Sequence, residues 1–228
     1  MIAVTFALPN ESSAFLALLQ DPDRGRVAAQ ILSGTRHGHA VTVLHTGVGK
    51  ETTQARLGEF LRTDTPALLI SAGFAGALHD RWQAGEILFA ENFSTANLDV
   101  AAQIDCRTGK LATAPEMVDA AAERAVLAAE GADAVDMETE FIAAACAAAG
   151  VPMISLRAIS DTPGAPFPAP PHVLFDVKRQ RTPFLPLFQH LLLRPAAIGR
   201  FVSFARQISS ARQSLAQALD TLLRTGPL

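Results

Sequence analysis

At 228 residues, 49% hydrophobic and 18% charged, the chain is long enough for one substantial core and too apolar for a disordered segment, so one α/β domain over 1–228 is expected. A formal net charge of -3 argues against the basic surface of a general nucleic-acid binder. Cys106 and Cys146 form no CxxC pair and no basic region precedes the apolar start IAVTFALP, which fits a reduced, cytoplasmic setting.

The first strand is predicted at residues 2–8, IAVTFAL, closed by Pro9; a polar turn, Asn-Glu-Ser-Ser, then leads into the helical pattern SSAFLALLQ. AVTVLHT, residues 40–46, alternates as a strand does and passes through GVGK into a helix over 51–62. PALLISAG reads as a buried strand and AGEILFAENF as another, while GKLATAPEMV, residues 109–118, predicts a weaker strand followed by helix to about Glu130. TEFIAAACAAAG has high helix propensity and stops at Gly150, a suitable C-cap; VPMISLRAIS returns to strand. The proline-rich DTPGAPFPAPP is a connector or a flap, and its composition does not choose. In FLPLFQHLLLRPAAIGRFVSFA, Pro186, His190, Arg194 and Arg200 interrupt the ~20 apolar residues that a spanning helix needs. From about Ala196, Phe201, Phe204, Ala205, Ile208, Leu215, Leu219 and Leu222 recur at helical spacing, the pattern of a packed amphipathic helix.

Strands alternating with helices indicate an α/β sheet covered on its faces. Such sheets bind small ligands beyond the carboxyl ends of their strands, so the residues just after each strand are the informative ones. TGVGKE is no P-loop, because the first glycine would fall at Leu44 and the Ser/Thr at Glu51; a dinucleotide fingerprint fails at Thr52. It remains a strand–glycine turn–helix junction, which either brings backbone N–H groups to an anion or a sugar or only makes the turn. His37, His39 and His45 have no carboxylate or cysteine cluster at metal spacing, so no metal site is expected. No GxSxG elbow occurs, and Cys146 reads as a small buried residue. Three acids stand just past strand candidates: Glu11, Glu138 and Asp161. Singly, each is explained by capping or a turn. Together they point to one pocket.

AVDMETEFIAAACAAAGVPMISLRAISD resembles the C-terminal signature of the purine nucleoside phosphorylase/nucleosidase superfamily, and within it the 5'-methylthioadenosine/S-adenosylhomocysteine nucleosidases. FALPNE, VLHTGVGK, LLISAGFAGAL and AGEILFAENF match in the same order, so most of residues 2–161 is covered. LLLRPAAIGRF is similar to a branch associated with hopanoid synthesis and the removal of adenine from adenosylhopane; futalosine hydrolases are another relative.

The resemblance implies a single-domain, three-layer phosphorylase/hydrolase-like fold, its central mixed, twisted sheet flanked by helices and its C-terminal helices, about 183–225, packed on it. It also implies a homodimer, no metal or organic cofactor, and hydrolysis of a 5'-modified adenosine. Asp161, oriented by Ser160, would protonate the purine N7, and Glu11 would activate water. Glu138 would accept hydrogen bonds from the ribose 2'- and 3'-hydroxyls and favour a cationic transition state, with Met137 packed on the sugar and Asp136 turned to the backbone at the helix start. Met117 and Val118 would flank the base, and Leu8 and Val48 the 5' side. Gly73 and Phe74 belong to the glycine turn, with Phe74 in place of a small, often hydroxyl-bearing residue. Ser71 stands where phosphorylases carry an arginine, Pro9-Asn10-Glu11 replaces their phosphate loop, and Arg157 is the one matched cation, so water is favoured over phosphate. The connection from Asn97 to Gly109 is shorter than in the methylthioadenosine enzymes, which favours a bulky 5' group. A phosphate-dependent phosphorylase, a futalosine hydrolase and a nucleoside-binding module without turnover stay open. So does peripheral membrane contact through Arg194, Arg200 and Arg206.

Overall fold

A computed structural model describes residues 1–26, 31–95, 102–176, 180 and 197–225. The chain opens with β1 (Ile2–Phe6), α1 (Pro9–Leu16), β2 (Gln20–Arg26), β3 (Ile31–Arg36), β4 (His39–His45) and α2 (Lys50–Thr63). It continues with β5 (Leu68–Ala77), β6 (Ile87–Ala90), β7 (Arg107–Gly109), β8 (Leu111–Thr113) and α3 (Ala121–Ala129). Then follow β9 (Ala134–Asp136), α4 (Thr139–Ala149), β10 (Met153–Asp161), α5 (Pro171–Leu174) and the long α6 (Ala197–Thr225).

Among the described residues the strands form one ten-stranded mixed sheet in the order β2-β3-β4-β1-β5-β10-β6-β7, with β9 pairing the end of β5 and β8 pairing β9. Its centre, β4-β1-β5-β10, is parallel. Those strands are apolar on both faces, so both must be covered. Alternation sends Ala3, Leu69 and Met153 toward α2 and α4, where Leu57, Phe60, Ile142 and Cys146 meet them. Val4, Ile70 and Leu156 point the other way, onto Phe15 of α1 and Leu215, Leu219 and Leu222 of α6. This is the three-layer arrangement expected.

Several local expectations change. The polar segment after Pro9 is the first turn of α1, since proline at the first helical position presets the backbone angle. β5 runs straight through the glycines Gly73 and Gly76, which were expected to turn. The helical pattern expected to run to Gln20 stops at Leu16, and residues 20–26 and 31–36 pair antiparallel as β2 and β3. Arg36 and His37 tie that end of the sheet to Asp220 of α6, at 2.6 and 2.8 Å. Gly150 closes α4 in the left-handed conformation, φ 67°, as its C-cap role requires. Residues 183–196, including Pro186, His190 and Arg194, and residues 97–101 of the Asn97–Gly109 connection lie outside the described residues. No helix among the described residues is long and apolar enough to cross a membrane. Arg200 and Arg206 of α6 are exposed, while Phe201 and Phe204 beside them turn inward to a cavity.

Candidate active site

The carboxyl ends of β1, β5, β9 and β10 open into a cavity of about 520 Å³, closed on its far side by the loop after β10 and by α6. Leu8, Glu11, Val48, Phe74, Met117, Val118, Asp136, Met137, Glu138, Ser160 and Asp161 all line it. Residues more than a hundred positions apart thus meet where the sheet topology places a ligand. Gly73 and Arg157 do not line it; they sit behind Phe74, on a second cavity of about 10 Å³ that also touches Glu11 and Glu138.

Asp161 ends β10 and is buried. The Ser160 hydroxyl donates to its Oδ1 at 2.7 Å, as expected. Its other oxygen is held by a residue the sequence did not single out: Arg124 of α3, 3% exposed, ion-pairs with Oδ2 and donates to the Ala77 carbonyl at 2.8 Å. Gly76 makes room for this pair, because a Cβ there would lie 2.9 Å from Asp161 Oδ2. The only sequence trace of Arg124 is one cation in the alanine-rich AAERAVLAA.

Glu138 and Asp136 divide the start of α4 between them. Glu138 is the N-cap residue, yet its side chain makes no capping bond; Oε1 instead accepts the Gly49 N–H at 2.8 Å, across the site. Asp136 does the capping, accepting the Thr139 N–H at 3.1 Å and its hydroxyl at 2.5 Å, and also takes the Thr113 hydroxyl at 2.9 Å and Arg157 Nε at 3.1 Å. Burial pushes Glu138 up to about 8, helped by the Asp136 charge and opposed by the Gly49 N–H. The raised pKa favours the protonated form of Glu138 toward neutral pH, whereas the resemblance implies an anion there.

Glu11, in the first turn of α1, reaches back to accept the Leu8 N–H at 3.0 Å, half of a capping box. Burial raises its pKa, with the Leu8 N–H and the Arg157 charge pulling the other way. Arg157 is not a free cation. Its Nε goes to Asp136, Nη1 to the Leu156 carbonyl at 3.0 Å, and Nη2 to the Ser71 and Thr139 hydroxyls at 2.7 and 2.5 Å.

The glycine turn after β4 is also engaged. Gln180 clamps Val48 from both sides, its Oε1 accepting the Val48 N–H at 2.7 Å and its Nε2 donating to the Val48 carbonyl at 2.9 Å. The next N–H, of Gly49, is the one taken by Glu138. Much of the remaining wall is apolar, Phe167 and Phe175 from the segment after β10 and Phe201, Phe204 and Ile208 from α6, with Asn10, Glu116 and Arg212 also on it. Phe167 and Phe204 meet edge-on, ring centroids 5.8 Å apart. The helical spacing of the α6 residues was legible, but it read as packing; the proline-rich loop did not reveal that Phe167 faces the cavity.

The family model of the phosphorylase superfamily matches residues 1–105 and 94–182. A 5'-methylthioadenosine/S-adenosylhomocysteine nucleosidase of Actinobacillus succinogenes is 26% identical over 196 residues, covering 70% of this chain and 85% of that protein. Among solved structures, the 5'-methylthioadenosine/S-adenosylhomocysteine nucleosidase of S. pneumoniae superposes with a TM-score of 0.72 at 19% identity, over 98% of each chain. The futalosine hydrolase of Helicobacter pylori gives 0.68 at 17% identity, over 97% of this chain and 96% of that one. At these identities the structural likeness is one of fold.

Proposed function

The chain belongs to the phosphorylase superfamily, and from that premise we propose that it is a hydrolytic purine nucleosidase, cleaving the N-glycosidic bond of a 5'-modified adenosine and releasing adenine. The observation that carries the choice of water over phosphate is that the donors beside Glu11 and Glu138, on the glycine turn and on Arg157, are already engaged; Arg212, a cation on the wall of the main cavity, stands on α6. The Val48 N–H binds Gln180, the Gly49 N–H binds Glu138, and the Arg157 guanidinium binds Asp136, Ser71, Thr139 and Leu156. Phosphate recognition relies on several such donors at once. The cavity of about 10 Å³ beside Glu11 and Glu138 is near the lower limit for one water and far too small for phosphate. The curated relative named as a nucleosidase, at 26% identity, supports the same reading.

In this reading the purine lies against Met117 and Val118 with N7 toward Asp161, and the ribose lies over Met137 with its diol at Glu138. The C1'–N9 bond breaks with its electron pair moving to the base, and Asp161 delivers a proton to N7. A water oxygen bonds to C1' as one of its protons passes to Glu11. Ser160 and Arg124 hold the two oxygens of Asp161, so Asp161 takes up a proton from solvent as its pair with Arg124 yields to the entering base, and that proton is the one passed to N7. Glu138 shares its proton with the ribose diol through a strengthening hydrogen bond, so that negative charge develops on the carboxyl as positive charge builds on the sugar. Beyond the sugar the wall of Leu8, Val48, Phe201, Phe204 and Ile208 favours an apolar 5' substituent, from a methylthio group to the hydrocarbon of an adenosylhopane-like nucleoside.

Adenine release from methylthioadenosine, S-adenosylhomocysteine, futalosine and adenosylhopane, assayed with and without phosphate, tests the proposal. The expected result is release in phosphate-free buffer with a free ribosyl product. Strict phosphate dependence with a ribose 1-phosphate product refutes it. Turnover of the plain thioether equal to or better than that of the longer substrate removes the bulky-substituent reading.

A further inference from the structure

The small cavity behind Phe74 is bordered by Thr5 as well as by Glu11, Glu138 and Arg157. Thr5 is fully buried, and its Oγ1 has no hydrogen-bond partner among the described residues. A dry, unpartnered hydroxyl is costly, and native proteins hold few of them. Its backbone gives no local reason for a hydroxyl: Thr5 sits within β1, in register with Leu44 of β4 and Ser71 of β5. Valine has the same shape and an equally good strand preference, without a polar atom to satisfy. Two nearby hydroxyls are engaged, while Ser155, unpartnered two strands away in the same row, does not line this cavity. Ser71 accepts from Arg157 at 2.7 Å, and Thr46, on the same cavity, faces the Phe6 and Gly47 carbonyls at 3.3 and 3.2 Å.

We infer that Thr5 is a positioning residue for the water that attacks the sugar, its hydroxyl turned to that water in the cavity it shares with Glu11, Glu138 and Arg157. The inference rests on the hydrolytic reading above. A buried water in so small a space needs two to four polar partners. Glu11 takes one of its hydrogens and becomes the proton acceptor when the oxygen bonds to C1'. A second partner is needed to fix the direction of the lone pair that attacks. Phe74, which with Glu11 and Glu138 lines both this space and the main cavity, has no hydroxyl to offer, and Thr5 supplies one from the adjacent β1 strand. Thr5 exchanges no proton in the step; it restricts the orientation of the nucleophile, and orientation is a large part of what a site contributes to such a reaction.

Thr5→Val and Thr5→Ser test this by steady-state adenine release alongside thermal unfolding. Thr5→Val is expected to lower kcat by about tenfold to a hundredfold with KM within about twofold, and Thr5→Ser to keep kcat within about threefold of the parent. A purely structural role does not produce that split or that rescue. A Thr5→Val protein with parental kcat and a raised Tm overturns the inference, because the hydroxyl is then an unsatisfied group and nothing more. Equal losses in both variants overturn it too, since serine keeps the hydroxyl and lacks only the methyl. If the parent itself releases adenine only with phosphate, the hydrolytic reading falls and this inference falls with it; a hydrolytic parent with a fully active Thr5→Val removes this inference alone.

Discussion

Glutamine at position 138 copies the protonated carboxyl: it keeps an oxygen for the Gly49 N–H, 2.8 Å away in the parent, and presents no charge to Asp136 or Glu11. In the folded chain burial first, and the Asp136 charge second, raise Glu138 from 4.5 to about 8. Between those values the folded chain keeps a proton that the unfolded chain has released, so stability falls as pH rises through the window. At about 1.4 kcal/mol per pH unit, the parent lies below Glu138→Gln by about 2 kcal/mol at about pH 6 and by about 4 kcal/mol at about pH 7.5. Urea unfolding of both proteins from about pH 5 to about pH 8 measures the difference directly, and most other titrating groups cancel in it. Adenine release moves the opposite way, dropping by about a hundredfold, because the amide cannot develop negative charge beneath the sugar. A stability difference that stays flat within about 0.5 kcal/mol across that range refutes the claim that Glu138 is held protonated by its surroundings.

Two further expectations concern Asp161 and the apolar wall. Arg124→Met leaves the Asp161 carboxylate buried without its partner and costs about 3–5 kcal/mol in urea unfolding; adding Asp161→Asn recovers part of that loss, and strict additivity of the two changes counts against the pair. Gly76→Ala, whose Cβ would stand 2.9 Å from Asp161 Oδ2, lowers kcat at least about tenfold by moving that carboxyl off the base, read from initial rates. Phe204→Ala removes the edge contact with Phe167 and raises KM about tenfold for nucleosides with long apolar 5' groups while sparing kcat. An unchanged KM places those groups elsewhere.

Features that depend on near neighbours and periodicity were legible in the chain's order of residues. The apolar strands expected at 2–8, 40–46 and 151–160, found at 2–6, 39–45 and 153–161, the helix ending at Gly150 and the amphipathic tail follow from alternation, propensity and a cap, and the three acids could be picked out because each stands at or just beyond a strand. What each acid is bonded to came from long-range packing. Asp136 and Glu138 are two residues apart and chemically alike, yet one caps α4 while the other reaches Gly49, 89 positions away. Arg157, a matched cation on paper, is claimed by Asp136 and Thr139 at that same helix start. Arg124 reaches Asp161 from 37 positions away, Gln180 reaches Val48 from 132, and Phe204 meets Phe167 across a loop. None of these pairings leaves a local trace, because spacing along the chain encodes which face a residue occupies and not what is packed against it. A buried group's partners and protonation depend on what the folded chain brings within hydrogen-bond reach, and that is settled by strand order and layer packing.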